Sequence, residues 1–337
     1  MTGSDAVELL LTALVSGFAS AALIVAILPL LKRHALARPN ARSSHVAPTP
    51  QGAGIAVVAA TVAVAAVALA ATSGIRPLVG SLFVPTIAIA MLGAVDDLRP
   101  VPVLPRLAAQ IAAVAVVLTF LPVDARALPL LPLPAERALE LLAGLWFVNL
   151  VNFMDGIDWI TVAEVVPITA ALLLLACLKH VSPAAGIVAA ALCGATLGFA
   201  PFNKPVARVF LGDVGSLPIG LMLGWCLLDL AAHSGVAAAL LLPLYYLADA
   251  TLTLLQRLSR RERVWVAHRS HFYQRATDNG WSVLRIVGDV FALNVLLAVL
   301  AIMSAVVASH WLHAAALAAG AVAVALVLAR FVRPAPR

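Results

Sequence analysis

The chain has 337 residues, of which 63% are hydrophobic and only 11% charged, where soluble globular proteins carry about 25% charged residues. This composition excludes an ordinary soluble enzyme and points to an integral membrane protein. The formal net charge of +6 is no argument for nucleic-acid binding, because polytopic membrane proteins collect Lys and Arg in their cytoplasmic loops.

Apolar runs long enough to span a bilayer, roughly 17 to 25 residues each, fall near 8–31, 55–72, 78–95, 106–122, 139–154, 162–179, 184–201, 216–232, 235–255, 288–308 and 311–330. Their continuity predicts helices rather than barrel strands. Their small residues suit close helix contact, which in lipid comes from packing. The expected fold is all-α: a single polytopic helix bundle over residues 1–337 with about eleven transmembrane helices, ten being the alternative count. The first run carries Asp5 and Glu8 instead of a basic leader and reads as a retained helix. Cys177, Cys193 and Cys226 lie inside runs without CxxC spacing, as apolar packing residues do.

Charge sets the expected orientation. With the N-terminus periplasmic and eleven helices, the outer loops hold Arg76, Arg126, Arg137 and Lys179, and the remaining eighteen Lys and Arg fall in inner loops or the cytoplasmic C-terminus. The same assignment puts five polar islands on one face of the membrane.

The first island, RSSHVAPTPQGAG at 42–54, places Arg42, Ser43, Ser44 and His45 before a rigid Pro turn and small residues. The second, GAVDDLRP at 93–100, ends a run with Asp96 and Asp97, adjacent carboxylates that are costly near lipid without a cation or proton. In the third, NLVNFMDGID at 149–158, Asn149, Asn152, Asp155 and Asp158 recur every third residue, and Gly156 is expected to turn the last two into a common space. The fourth, FNKPVARVFLGDVGS at 202–216, sets Asp213 between Gly212 and Gly215 at a helix start, with Ser216 as its expected cap; such a terminus suits phosphate and a hard oxygen ligand suits Mg2+. The fifth, AHRSHFYQR at 267–275, lies in an expected basic loop over 256–287 above the site. Its HxxH lacks the further ligands of a zinc site, and its imidazoles and guanidinium suit a diphosphate instead. Asp229 and Asp249 are the deep acidic positions.

The islands together suit phosphoryl transfer between a soluble nucleotide substrate and a lipid phosphate, without a Walker-type loop for ATP. Their order, PTPQGAG, VDDL, NLVNFMDGID, FNKPVARVFLGDVGS and HRSH, resembles the polyprenyl-phosphate N-acetylhexosamine-1-phosphate transferases, glycosyltransferase family 4, over about residues 42–275. The resemblance implies a bacterial inner-membrane enzyme with a cytoplasmic site. It would move a sugar-1-phosphate from a UDP-N-acetylhexosamine to undecaprenyl phosphate, releasing UMP, and use Mg2+, or Mn2+ in its place. Asp96 would be the base, with Asp97 sharing the task; Asp213 would be the main metal ligand, assisted by Asp155, with Asn152 holding the pocket. Gly156, Asp158, Asn203 and Phe210 would hold uridine, while His268, Arg269 and His271 would contact diphosphate or sugar. A homodimer is the oligomer the resemblance suggests.

Departures direct the pathway expectation. Pro100 stands where the lipid I-forming enzymes typically have Lys, and HRSH replaces three consecutive histidines. The pattern is closer to the branch that initiates O-antigen, capsule or other envelope polysaccharides, with the lipid I enzyme as the alternative. Trp159 and Ala53 replace glycines common in the family. A UbiA-type prenyltransferase would show two DxxxD-like motifs, and a transporter would carry midplane ionisable residues and repeats.

Overall fold

The computed structural model describes residues 3–37, 48–72, 79–263, 268–307 and 309–335; Arg42, Ser43, Ser44 and His45 lie outside them. The helices are α1 Gly3–His34, α2 Gly54–Thr72, a π-helical turn Val79–Phe83 leading into α3 Val84–Leu98, α4 Val103–Thr119, α5 Leu133–Met154, α6 Ile160–Cys177 and α7 Pro183–Asn203. They continue as α8 Asp213–Ser234, α9 Val236–Leu241, α10 Leu244–Ser259, α11 Phe272–Asp278, α12 Val283–Val306 and α13 His310–Phe331. A two-residue antiparallel pair joins β1 Leu36–Ala37 to β2 Thr49–Pro50.

The chain is thus an all-α, multi-pass bundle. Among the described residues nine helical segments are long and apolar enough to cross a membrane, fewer than the eleven expected. The fourth predicted run forms α4, only 17 residues long. The ninth is split between α9 and α10 at Pro243, which cannot donate to a helix and clashes with the preceding turn. The expected 256–287 loop is also smaller than its sequence suggested. Ser259 still belongs to α10, α11 sits inside the loop, and α12 begins at Val283. The structural causes are local: at the start of α11 the Gln274 side chain accepts from His271 N–H at 3.3 Å, and Ser282 caps α12.

Helices α7 and α8 form the centre. In their spanning windows 72% and 78% of residues are buried, against 22% for α1 and α13. The Ala- and Gly-rich sequence of α7 permits this, because Gly194 and Gly198 lie against the α1 backbone at Ala13 and Gly17, where a methyl group would overlap the carbonyls. Cys193 and Cys226 are buried and Cys177 half-buried, all three free, as packing residues.

Candidate active site

The fourth island is the hub on which the others dock. Its segment before α8 runs beside the Pro turn: Phe210 N–H donates to Pro50 O, the amides of Gly52 and Ala53 donate to Phe210 O, and Gly54 N–H donates to Leu211 O. The start of α2 then crosses the start of α8 with Gly54 and Gly215 in backbone contact. The first island is scaffold: its Gln51 amide donates to Asp97 Oδ1 at 2.8 Å.

The second island holds the start of α8. Gly212, at φ +78°, precedes the helix without a capping side chain. Asp97 supplies the cap from α3, accepting from Asp213 N–H at 2.9 Å and Val214 N–H at 3.1 Å. A Cβ at residue 212 would also lie 2.5 Å from Asp97 Oδ2, so both the turn and the carboxylate require glycine there. Ser216, the expected cap, lies inside α8 instead and accepts from Asn152 at 2.9 Å. Gly93, one turn before the aspartates, packs directly on the Asp213 carbonyl.

Asp96 differs from its neighbour. Its Oδ1 accepts from Val101 N–H at 2.6 Å, and its Oδ2 pairs with Arg106 at 2.8 Å. The Pro-rich turn between α3 and α4 folds Arg106 back onto it. The Asp96 and Asp213 carboxyl groups share a hydrogen bond, so the charges of two helix ends meet there.

Helix α5 stops at Met154, with Asp155 as its C-terminal residue before Gly156. The Asn152 amide donates to Asp213 Oδ1 at 2.8 Å, and Asn149, a turn deeper, donates to Gln110 Oε1 of α4 at 2.7 Å. Burial pushes the Asp155 carboxyl up to about 6; a hydrogen bond from Thr161 opposes this, and the charges of Asp97 and Asp158 add to it.

A cavity of about 600 Å³ lies over these groups. Asn152, Asp155, Gly156, Asp213, His268 and His271 all line it, from three separate islands. Arg106 and Gln274 add to its polar lining, and Leu107, Leu142, Trp146, Phe153 and Leu254 line it with apolar side chains. Of the apolar lining residues, Val103, Leu142 and Phe153 are 37%, 63% and 37% exposed.

The other predicted site residues fall elsewhere. Asp96 and Asp97 stand behind Asp213 and Arg106, outside the cavity lining. Arg269 turns towards α11, donating to Thr277 and pairing with Asp278 at 3.2 Å. Asp158 and Asn203 are buried struts: Asp158 Oδ2 accepts from Ala207 N–H at 3.0 Å, while Asn203 accepts from Trp159 N–H and donates to Val209 O. Phe210 is half-buried in the backbone pairing with the Pro turn. Trp159 occupies a left-handed position at φ 63°, the conformation that glycine adopts most easily, and is pinned by its Nε1–H to Ala200 O at 2.6 Å.

Gly156 has a steric reason for its identity, since a Cβ would overlap the Tyr273 hydroxyl, which donates to Phe153 O at 3.2 Å. That contact seats the fifth island on the third. Arg106 and Gln274 were missed from sequence. The only signal for Arg106 was the proline spacing before it.

Residues 79–231, which contain the second, third and fourth islands, match the profile described as Glycosyl transferase family 4. Over that stretch the chain is similar to glycosyl transferase family 4. Decaprenyl-phosphate N-acetylglucosaminephosphotransferase of Mycolicibacterium smegmatis is 31% identical over 214 residues, 56% of this chain and 52% of that protein. The Mycobacterium leprae protein of the same description is 27% identical, covering 75% of this chain and 72% of its own length. Phospho-N-acetylmuramoyl-pentapeptide-transferase of Chlamydia trachomatis is 40% identical over 87 residues, 25% of this chain and 26% of that protein. The alignments with the first of these relatives thus span about half of their length.

Proposed function

We propose that this protein is a member of glycosyl transferase family 4 that transfers an N-acetylhexosamine-1-phosphate from a UDP-sugar to undecaprenyl phosphate, releasing UMP and initiating an O-antigen, capsule or other envelope polysaccharide. The observation that carries this reading is the mixed lining of the cavity. Carboxylates, imidazoles and Arg106 share it with apolar side chains of α4, α5 and α10. A lipid phosphate needs both. The longer similarity to the N-acetylglucosaminephosphotransferases than to the pentapeptide transferase favours an initiating transferase over a lipid I enzyme. We further place the site on the cytoplasmic face of a bacterial inner membrane, with eleven crossings and an outer N-terminus. The distribution of Lys and Arg supports that orientation.

In the proposed reaction an oxygen of the lipid phosphate attacks the β-phosphorus of the UDP-sugar, the bond to the bridging oxygen breaks, and UMP leaves. Asp96 is the candidate acceptor of the lipid phosphate proton. Arg106, at the cavity wall beside Asp96, offsets phosphate charge, and Asn152 keeps Asp213 directed into the cavity. The hard oxygen donors fit Mg2+, or Mn2+ in its place. Among the described residues no three acidic or His side chains form a ready-made cage, as suits an ion held by one or two carboxylates and substrate phosphates. Asp213 and Asp155 would hold it, and its chemistry there is neutralisation of charge on the transferring phosphate.

The test is purified protein in lipid nanodiscs with undecaprenyl phosphate, Mg2+ and a panel of UDP-N-acetylsugars, read as UMP release and lipid-linked product. Absence of turnover with every sugar refutes the reading. Asn152→Ala removes the donor to Asp213 and Ser216 and is expected to lower UMP release by roughly 10- to 100-fold, with the Mg2+ requirement moved to higher concentration; an unchanged Mg2+ titration would count against that role. Protonation of Asp155 competes with a cation. As pH falls through about 6 the acid becomes neutral, so half-saturating Mg2+ is expected to rise below that pH and level off above it.

A further inference from the structure

The fifth island holds two imidazoles with ring centroids 4.9 Å apart, and the groups behind them differ. Behind His271 is Asp249 of α10, fully buried. Its Oδ1 accepts from Phe272 N–H at 3.0 Å and its Oδ2 from Tyr273 N–H at 3.2 Å. Thr253 and Tyr245 hydroxyls donate to it as well, at 3.3 and 3.4 Å. A carboxylate that accepts on both oxygens leaves His271 Nδ1, 3.1 Å from Oδ1, as the proton-bearing nitrogen. Any proton that this ring gains or loses is therefore on Nε2.

Behind His268 the polarity is reversed. Ser270 N–H donates to His268 Nδ1 at 3.3 Å, and the Ser270 hydroxyl lies 2.8 Å from the same nitrogen. A backbone N–H only donates, so this Nδ1 is the acceptor and the ring proton sits on Nε2.

We propose that Asp249 and Ser270 lock the two histidines of the cavity into opposite protonation forms, which makes Asp249 a positioning residue for His271. His268 is then a neutral Nε2–H donor for a phosphate or sugar oxygen, and it cannot gain a proton without losing Ser270. His271 is the ring that exchanges a proton at Nε2. The same Asp249 carboxylate takes the first amides of α11, so the folding of the loop and the orientation of the ring depend on one group. Titratable neighbours of His271 are His268 and Tyr273 beside it and Tyr245 and Asp249 behind it. Asp155, Asp213 and Arg106 share the cavity wall.

The division of labour between the rings rests on the transfer reaction proposed above; their protonation forms do not. The full chain, labelled with 15N-histidine in nanodiscs, is compared by NMR with His268→Gln and His271→Gln to assign the two rings. The expected spectrum shows a proton on Nε2 of His268 and on Nδ1 of His271. Asp249→Asn is expected to move the His271 signals alone. Two rings in the same form, or a His271 signal indifferent to Asp249→Asn, overturn the proposal, and the wild-type spectrum decides it even if that variant fails to fold. In the UMP-release assay His268→Gln, whose amide N–H replaces an Nε2–H, is expected to stay within roughly 10-fold of wild type. His271→Gln is expected to lose at least about 100-fold, and the reverse order overturns the division of labour. Should no UDP-sugar turn over, the spectra still report the protonation forms.

Discussion

Asp213→Asn is expected to lower UMP release by roughly 10³-fold while the protein still accumulates in the membrane. The substitution keeps size and shape. The Asp213 backbone N–H that donates to Asp97 is untouched, and an amide oxygen can still accept from Asn152 as Oδ1 does now. What is lost is one negative charge at the cavity wall. Catalysis of phosphoryl transfer rests largely on positioning and charge neutralisation, so that charge is where the reaction is most sensitive. Size-exclusion elution and helical content should match wild type. Near-normal UMP release with an unchanged Mg2+ titration would remove Asp213 from the metal role.

The second large effect requires no charge change. Gly93→Ala adds a single methyl group where α3 meets the first turn of α8, and that methyl has no room beside the Asp213 carbonyl and the Val214 amide. The opposing atoms are backbone, so relief requires the helices to part. Separation would draw Asp97 away from the amides it caps and Asp96 away from Asp213. Overpacking of this kind costs about 1–3 kcal/mol, and a site displaced by about 1 Å loses roughly 10²-fold in rate. Gly288→Ala, in α12 with nothing within 4 Å of the added carbon, is the matched control. Thermal unfolding and UMP release of both variants are the measurements; equal behaviour of the two would show that the α3–α8 contact is not what sets the site.

The sequence made the helices legible because bilayer-length apolar runs tolerate few alternatives. Where the structure departs from that reading, at the 17-residue α4 and at the α9–α10 break, the proline-rich flank and Pro243 were visible, but the length actually helical depends on how the turn packs. The meeting of the islands was legible from charge and order, and six of the predicted residues do line one cavity. A carboxylate or amide in a turn satisfies backbone donors as readily as it binds a ligand: Asp158 and Asn203, read as uridine contacts, also brace the backbone at Ala207 and Trp159. Asp249 was recognised as deep without its task, which only the return of the fifth island reveals. Glu164 passed unnoticed inside an apolar run; it is buried in α6 and receives the Asn294 amide at 2.6 Å from α12.

The cap that Asp97 places on α8 also bears on the order in which the protein is made. The donor it needs at Asp213 lies 116 residues further along the chain. During N-to-C synthesis α3 therefore enters the bilayer carrying an acid that has Gln51 as a partner but whose two amide donors on α8 have not been translated, an arrangement that lipid penalises. Until α8 arrives, the half-made chain has reason to keep that helix end shallow, near the headgroups or the insertion machinery. The cap needs the amides of Asp213 and Val214, so assembly of the polar centre is a late step that a chain truncated before residue 213 could not take.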